Sequence, residues 1–270
     1  MLLEMPMMAF LERTIAIIGA GSLGTAIVDG LYQRGHSRII ATRRNEENLR
    51  ELHTRYEDLI TTTDNSLAAR KSEIIVVSLK PYLIEEIGEE IKDYCDGKLV
   101  ISIAAAKSLS SLEKVFYASR LARAMTGVFV AEEVAMYTLG TKGTTAERED
   151  DERAVQYIFG STARKVDEEL LANRTWVACD TGLIAQELDV KMKRLVELGI
   201  SEEDARGVYA ATLRAIASQL EAGRNGNEIY QAVAGQKSFT EGLAQLMDEQ
   251  GYFRFLAECV EITVQKCRRG

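Results

Sequence analysis

The first residues able to do chemistry form one short block, Gly19-Ala20-Gly21-Ser22-Leu23-Gly24. Its spacing is G-x-G-x-x-G. An apolar run at residues 14–19 leads into it, and a helical pattern at residues 22–34 follows. In that setting the first glycine permits a tight turn, the second lets backbone approach a pyrophosphate, and the third packs helix on strand. The helix start offers unpaired N–H groups and a positive dipole end to the anion. The block therefore predicts a dinucleotide cradle; a bare strand–helix turn is the alternative. After the next apolar run, at residues 38–42, an acidic residue would bond the ribose hydroxyls of NAD. Thr42-Arg43-Arg44-Asn45 stands there instead. A hydroxyl and one or two guanidinium groups suit a phosphate dianion. The expected cofactor is NADP(H), in preference to NAD(H); solvated arginines at a helix start are the alternative.

Two later run ends carry further candidates. Ser78-Leu79-Lys80-Pro81 closes one apolar run, and Ser102-Ile103-Ala104-Ala105-Ala106 closes the next. In an open parallel sheet, ligands lie outside the carboxyl ends of the strands. Small residues such as Ala104 and Ala105 leave room for a flat nicotinamide ring. Lys80 could face cofactor or a substrate carboxylate, or be a surface lysine before a loop proline.

The elements that must position these residues follow from periodicity. Apolar runs at residues 14–19, 38–42, 58–62, 73–79 and 98–103 alternate with helical patterns at residues 22–34, 45–55 and 82–94. Uninterrupted apolar runs of this kind fit strands buried on both faces of a parallel sheet. Runs at residues 120–125 and 133–139 are expected to extend it. Beyond residue 144 the patterns at 147–159, 183–198, 201–222 and 239–268 are helical, and no proline interrupts them. Ser201 with Glu202, Glu203 and Asp204 reads as a capped helix start. The fold class is α/β: an N-terminal Rossmann-type doubly wound sheet followed by an all-helical domain. The expected limits are 1–13 for an extension, 14–160 for the nucleotide domain and 161–270 for the helical domain. Long apolar helices ask for a covering partner, so a homodimer through the helical domain is expected.

Composition narrows the function. At 46% hydrophobic and 27% charged, the 270 residues suit a globular chain with a sizeable core. A net charge of −8 disfavours nucleic acid and anionic membrane as partners. No run reaches the ~20 apolar residues of a membrane span. With two histidines, four scattered cysteines and no C-x-x-C pair, no metal site is expected, and the cysteines read as reduced. The apolar start is broken by Glu4 and Glu12 and reads as an extension, so a cytoplasmic location is expected.

Taken together, these residues resemble the pyrroline-5-carboxylate reductase family. Its G-x-G-x-x-G start, A-V-K-P and S-x-A-A-G strand ends and R-x-M-P-N segment correspond here to IGAGSLGTAI, VSLKP, SIAAA and Arg123-Ala124-Met125. Asn65 sits where the family places an asparagine against the adenosine ribose, and VDEEL at residues 166–170 resembles the link into its helical domain. The resemblance implies a Rossmann domain with a helical dimerisation domain. It also implies NAD(P)H-dependent reduction of the cyclic imine 1-pyrroline-5-carboxylate to proline, with no metal and no nucleophile.

The sequence departs from the family where substrate should bind. R-x-M-P-N loses its Pro and Asn, and G-S-G-P-A-Y would fall on Cys179-Asp180-Thr181-Gly182-Leu183-Ile184. The loop T-S-P-G-G-T-T corresponds to Ala234-Gly235-Gln236-Lys237-Ser238-Phe239-Thr240, without the Gly-Gly backbone that would clasp a carboxylate. In one reading Lys237 and Ser238 hold the carboxylate and Thr240 bonds the imine nitrogen. In another the loop is a helix connection capped by Thr240, and the substrate is a different small imine or carbonyl acid. A deazaflavin-dependent NADP reductase and a catalytically silent NADP-binding relative complete the alternatives. His36 reads as loop surface, residues 147–153 as a solvated helix face, and Trp176 as a domain or dimer contact.

Overall fold

The computed structural model describes residues 10–130 and 134–269. Residues 1–9 of the expected extension and residue 133 of an expected strand lie outside the described residues. The apolar runs form strands β1 (Ile15–Ile18), β2 (Ile39–Thr42), β3 (Ile60–Thr62), β4 (Ile74–Val77), β5 (Leu99–Ser102), β6 (Arg120–Met125), β7 (Met136–Leu139) and β8 (Arg164–Lys165). They build one eight-stranded sheet in the order β3-β2-β1-β4-β5-β6-β7-β8. The pairs are parallel apart from antiparallel β6 and β7. Strands β1, β2, β4 and β5 are buried at every residue, which is why they read as continuous apolar runs rather than alternating ones.

Six helices cover this sheet: α1 (Ser22–Gln33), α2 (Glu46–Arg55), α3 (Asn65–Lys71), α4 (Ile84–Ile91), α5 (Leu109–Val115) and α6 (Thr145–Phe159). Alternate strand residues serve opposite faces. Ile15, Ile17, Val76 and Ile101 join one core with Ile27, Leu31, Val155 and Ile158. Ala16, Ile18, Ile75 and Val77 join the other with Ala69, Ile84, Ile91 and Leu112. The short helices α3 and α5 left no periodicity long enough to read in the sequence.

Two expectations for this half are corrected. His36 is fully buried, not loop surface: its Nδ1 lies 3.1 Å from the Tyr157 hydroxyl and its ring meets that of Tyr157 edge-on. The charged face of α6 is not wholly solvated either. Asp151 is buried and pairs with Arg120 Nε at 2.9 Å, anchoring α6 to β6.

The remaining helices are α7 (Leu171–Glu197), α8 (Glu202–Glu221), α9 (Gly226–Val233), α10 (Phe239–Glu249) and α11 (Tyr252–Arg269). Ser201 caps α8, accepting from the Asp204 N–H at 3.0 Å. The helical pattern over residues 239–268 is realised as two helices, broken at Gly251 with its φ of +73°. Proline was not needed to break it. By contacts the chain forms two units: residues up to Cys179 together with those from Thr263, and Asp180–Ile262. The division falls inside α7 rather than at residues 160–161, and β8 adds a strand to the sheet beyond that point. In the second unit Ala205 is the one buried residue, while Leu213, Ile216 and Leu220 of α8 are exposed.

Candidate cofactor and substrate site

The sheet reverses its winding between β1 and β4, the place where a doubly wound fold opens a crevice at its carboxyl ends. A cleft of about 570 Å³ lies there, within the roughly 300–1,000 Å³ of typical ligand sites. Its wall contains Gly19, Gly21, Ser22, Leu23, Thr42, Arg43, Arg44, Asn65, Ser78, Leu79, Lys80, Pro81 and Ala105. The candidates from four separate strand ends therefore converge.

The glycine turn is shaped by sterics. Gly19 has a φ of +94°, and a Cβ there would lie 2.6 Å from the Ser78 carbonyl oxygen. Gly21 differs: a Cβ there would meet nothing within 4 Å. That open side, next to the uncapped first turn of α1, is where a pyrophosphate would need room. These residues thus fit a dinucleotide. Ala20 and Ala104 are buried in the cores instead, and Gly24 packs against the Gly19 carbonyl. These three support the cradle without lining it.

Thr42 proves to be a structural anchor. Its Oγ1 accepts from Gly19 N–H at 3.2 Å and donates to Asn65 Oδ1 at 2.6 Å, while Asn65 Nδ2 donates to Glu90 at 3.1 Å. The Thr42 hydroxyl is thus engaged within the protein, unlike the phosphate contact expected for it. Arg43 is held over the turn by donation from Nη1 to the Ala20 carbonyl at 3.2 Å. With its amide oxygen turned toward the guanidinium, Asn48 accepts from Arg43 Nη2 at 2.6 Å. Arg44 is exposed at the rim. Three lining residues are absent from the sequence analysis, Leu83, Glu86 and Ile87, and Ile103 stands there only within a strand-end run. The first three share one helical face after Pro81, a spacing visible in the sequence but not distinguishable there from core packing.

The loop candidates lie in the second unit. Ser238, not Thr240, caps α10, accepting from Glu241 N–H at 3.1 Å. Thr240 sits within the first turn of that helix. Lys237 has a φ of +56°, and its N–H donates to Glu241 Oε2 at 2.6 Å. Phe239 is 94% exposed. No cluster of metal-ligating side chains occurs among the described residues, and none of their helices is long and apolar enough to cross a membrane.

A glycine cradle at the switch point of a doubly wound sheet defines the class: a Rossmann-type dinucleotide-binding protein. The family model described as NADP oxidoreductase, coenzyme F420-dependent, matches residues 14–106, the nucleotide half alone. Likeness over the whole chain lies elsewhere. Pyrroline-5-carboxylate reductase of Corynebacterium melassecola is 27% identical over 92% of this chain and 96% of its own length. That of Aquifex aeolicus is 24% identical over 96% and 98%. The Plasmodium falciparum pyrroline carboxylate reductase structure, with NADP bound, superposes with a TM-score of 0.83 at 18% identity over 95% of this chain and 97% of that one. The Streptococcus pyogenes enzyme gives 0.81 at 20% identity over 95% and 98%. Over nearly its whole length, at 24–27% identity, the chain is similar to pyrroline-5-carboxylate reductases.

Proposed function

We propose that the protein reduces 1-pyrroline-5-carboxylate to proline with NADPH. The observation that carries this reading is full-length similarity to these reductases, joined to a built dinucleotide cleft at the expected residues. Bound dinucleotide supplies the hydride. The protein's part is to bind, orient and balance charge. The Gly19–Gly24 turn and the start of α1 would receive the pyrophosphate. The Thr42–Asn65 bond holds that turn in place, and Arg43 and Arg44 would pair with a 2′-phosphate. Ile103 and Ala105 leave a flat wall for the nicotinamide ring, with Lys80 at the rim.

On the substrate side, Thr240 Oγ1 is the group proposed to hydrogen-bond the ring nitrogen, with Lys237 and Ser238 beside it. A second reading, a different small imine or carbonyl acid as substrate, draws support from this loop. The Glu241 carboxylate already occupies the Lys237 N–H and so places negative charge where a carboxylate clasp is expected.

We also propose a homodimer built through the helical unit. A second copy is the occupant that a helical unit with one buried residue requires. The cysteines are free thiols, which supports a reducing, cytoplasmic setting.

The deciding experiment follows NADPH and NADH oxidation with 1-pyrroline-5-carboxylate. Turnover that prefers NADPH is the expected result. NADPH binding without turnover would reject the proline-forming role.

A further inference from the structure

Arg43 lines the cofactor cleft at the end of β2, and a residue that does not line the cleft holds it there. Asn48 lies in the first turn of α2. With its amide oxygen turned toward the guanidinium, it accepts from Arg43 Nη2 at 2.6 Å. On the other side Arg43 Nη1 donates to the Ala20 carbonyl at 3.2 Å. The arginine is thus gripped between the helix after β2 and the glycine turn after β1.

Both acceptors are neutral. A carboxylate in either place would cancel the positive charge, whereas an amide and a peptide carbonyl fix the guanidinium and leave its charge for an anion. Glu46, at the start of the same helix, is engaged with Arg50 at 3.7 Å. The remaining N–H groups of Arg43 are left for a ligand. A free arginine gives up rotamer freedom when it pairs; one already fixed has given it up before the ligand arrives. Asn48 is itself anchored, because its backbone N–H donates to the capping side chain of Asn45 at 3.1 Å. Its amide therefore projects from a fixed first turn.

We propose that Asn48 is a positioning residue for selection of the phosphorylated dinucleotide: it sets Arg43 for the 2′-phosphate through a neutral amide. The inference rests on the reading of Arg43 as a 2′-phosphate partner. It also explains why an acid is unsuited to this position, since aspartate there would pair with Arg43 in the place of the ligand.

The test measures NADPH and NADH dissociation constants by fluorescence titration of the full chain. The proteins are the parent, Asn48→Ala, Asn48→Asp, Arg43→Ala and Arg43→Ala/Asn48→Ala. In Asn48→Ala, NADPH should weaken by about three- to tenfold, the usual loss of one hydrogen bond, with NADH unchanged. Asn48→Asp should lose more, because its carboxylate pairs with Arg43 and repels the phosphate. Aspartate in the first turn of a helix favours the helix, so that loss is not one of folding. Once Arg43 is alanine, removing the Asn48 amide should cost nothing further, since its effect passes through the arginine. Equal losses for the two dinucleotides, or additive losses in the double variant, overturn the positioning role. A parent that prefers NADPH, with Asn48 variants that keep the preference, overturns that role alone. A parent that binds both dinucleotides equally refutes the 2′-phosphate reading itself, and the positioning role falls with it.

Discussion

Thr42 and Asn65 share a 2.6 Å hydrogen bond across the ends of β2 and α3, and the same threonine oxygen accepts the Gly19 N–H. The residue expected to greet a phosphate instead locks the turn that makes the cradle. In the proposed reading, selection between the two dinucleotides then rests on the arginines alone. Arg43→Ala/Arg44→Ala should weaken NADPH by about 10- to 100-fold, the cost of one or two charge-assisted bonds. NADH affinity should change little. Thr42→Val should weaken both cofactors, because it loosens the shared turn. Fluorescence titrations of both cofactors against the three proteins check this; equal losses for NADPH and NADH in the arginine variant would reject the 2′-phosphate assignment.

Buried His36 should make the nucleotide domain acid-sensitive. Burial lowers its pKa from the ordinary value, with the nearby Arg34 and Arg38 charges acting in the same direction and its bond to the Arg38 carbonyl opposing them. The folded state therefore binds the proton less readily than the unfolded chain. Its contribution is intact above the unfolded pKa of about 6.5 and is lost as pH falls through the lower folded value. Melting temperature should decline below about pH 6.5 and flatten in His36→Gln. An unchanged slope in that variant would assign the acid sensitivity to other groups.

The sequence revealed the sheet far better than the helices, for a physical reason. Strands buried on both faces leave unbroken apolar runs, and the G-x-G-x-x-G spacing has few other uses after a strand. His36 was misread because one residue next to a glycine carries no periodicity; only the fold brings Tyr157, distant in sequence, against it. Asp151 shows the same limit. Its neighbours are charged and solvated, yet Arg120 from β6 draws this one carboxylate inward. Arg123 was read as part of a family motif, and no sequence pattern could show that it is buried with a donor unmet.

Ala106, after β5, adopts a left-handed conformation, with a φ of +57°. Its position corresponds to the glycine of the S-x-A-A-G motif. A left-handed alanine costs roughly 1–2 kcal/mol, and glycine's extra unfolded-state freedom offsets roughly 0.5–1 of that. Ala106→Gly should therefore stabilise the protein by up to about 1.5 kcal/mol. Chemical denaturation of the two proteins measures this directly. A net loss would mean that the Ala106 methyl contributes packing worth more than the strain.

The helical unit gives the most severe test of assembly. Leu213, Ile216 and Leu220 follow helical spacing on α8, and their exposures of 40%, 40% and 52% leave one face apolar. A unit with a single buried residue gains little from its own packing against chain entropy, and in the proposed dimer a second copy would complete it. Ile216→Glu places a charge in the centre of that face. Light scattering should show a dimer for the parent and a shift toward monomer for the variant, and dichroism should show reduced helix content in the monomer. The nucleotide unit has its own two cores and should keep its NADPH affinity. A parent that is monomeric with a cooperatively folded helical unit would refute the dimer, because that unit would then be stable without any covering surface.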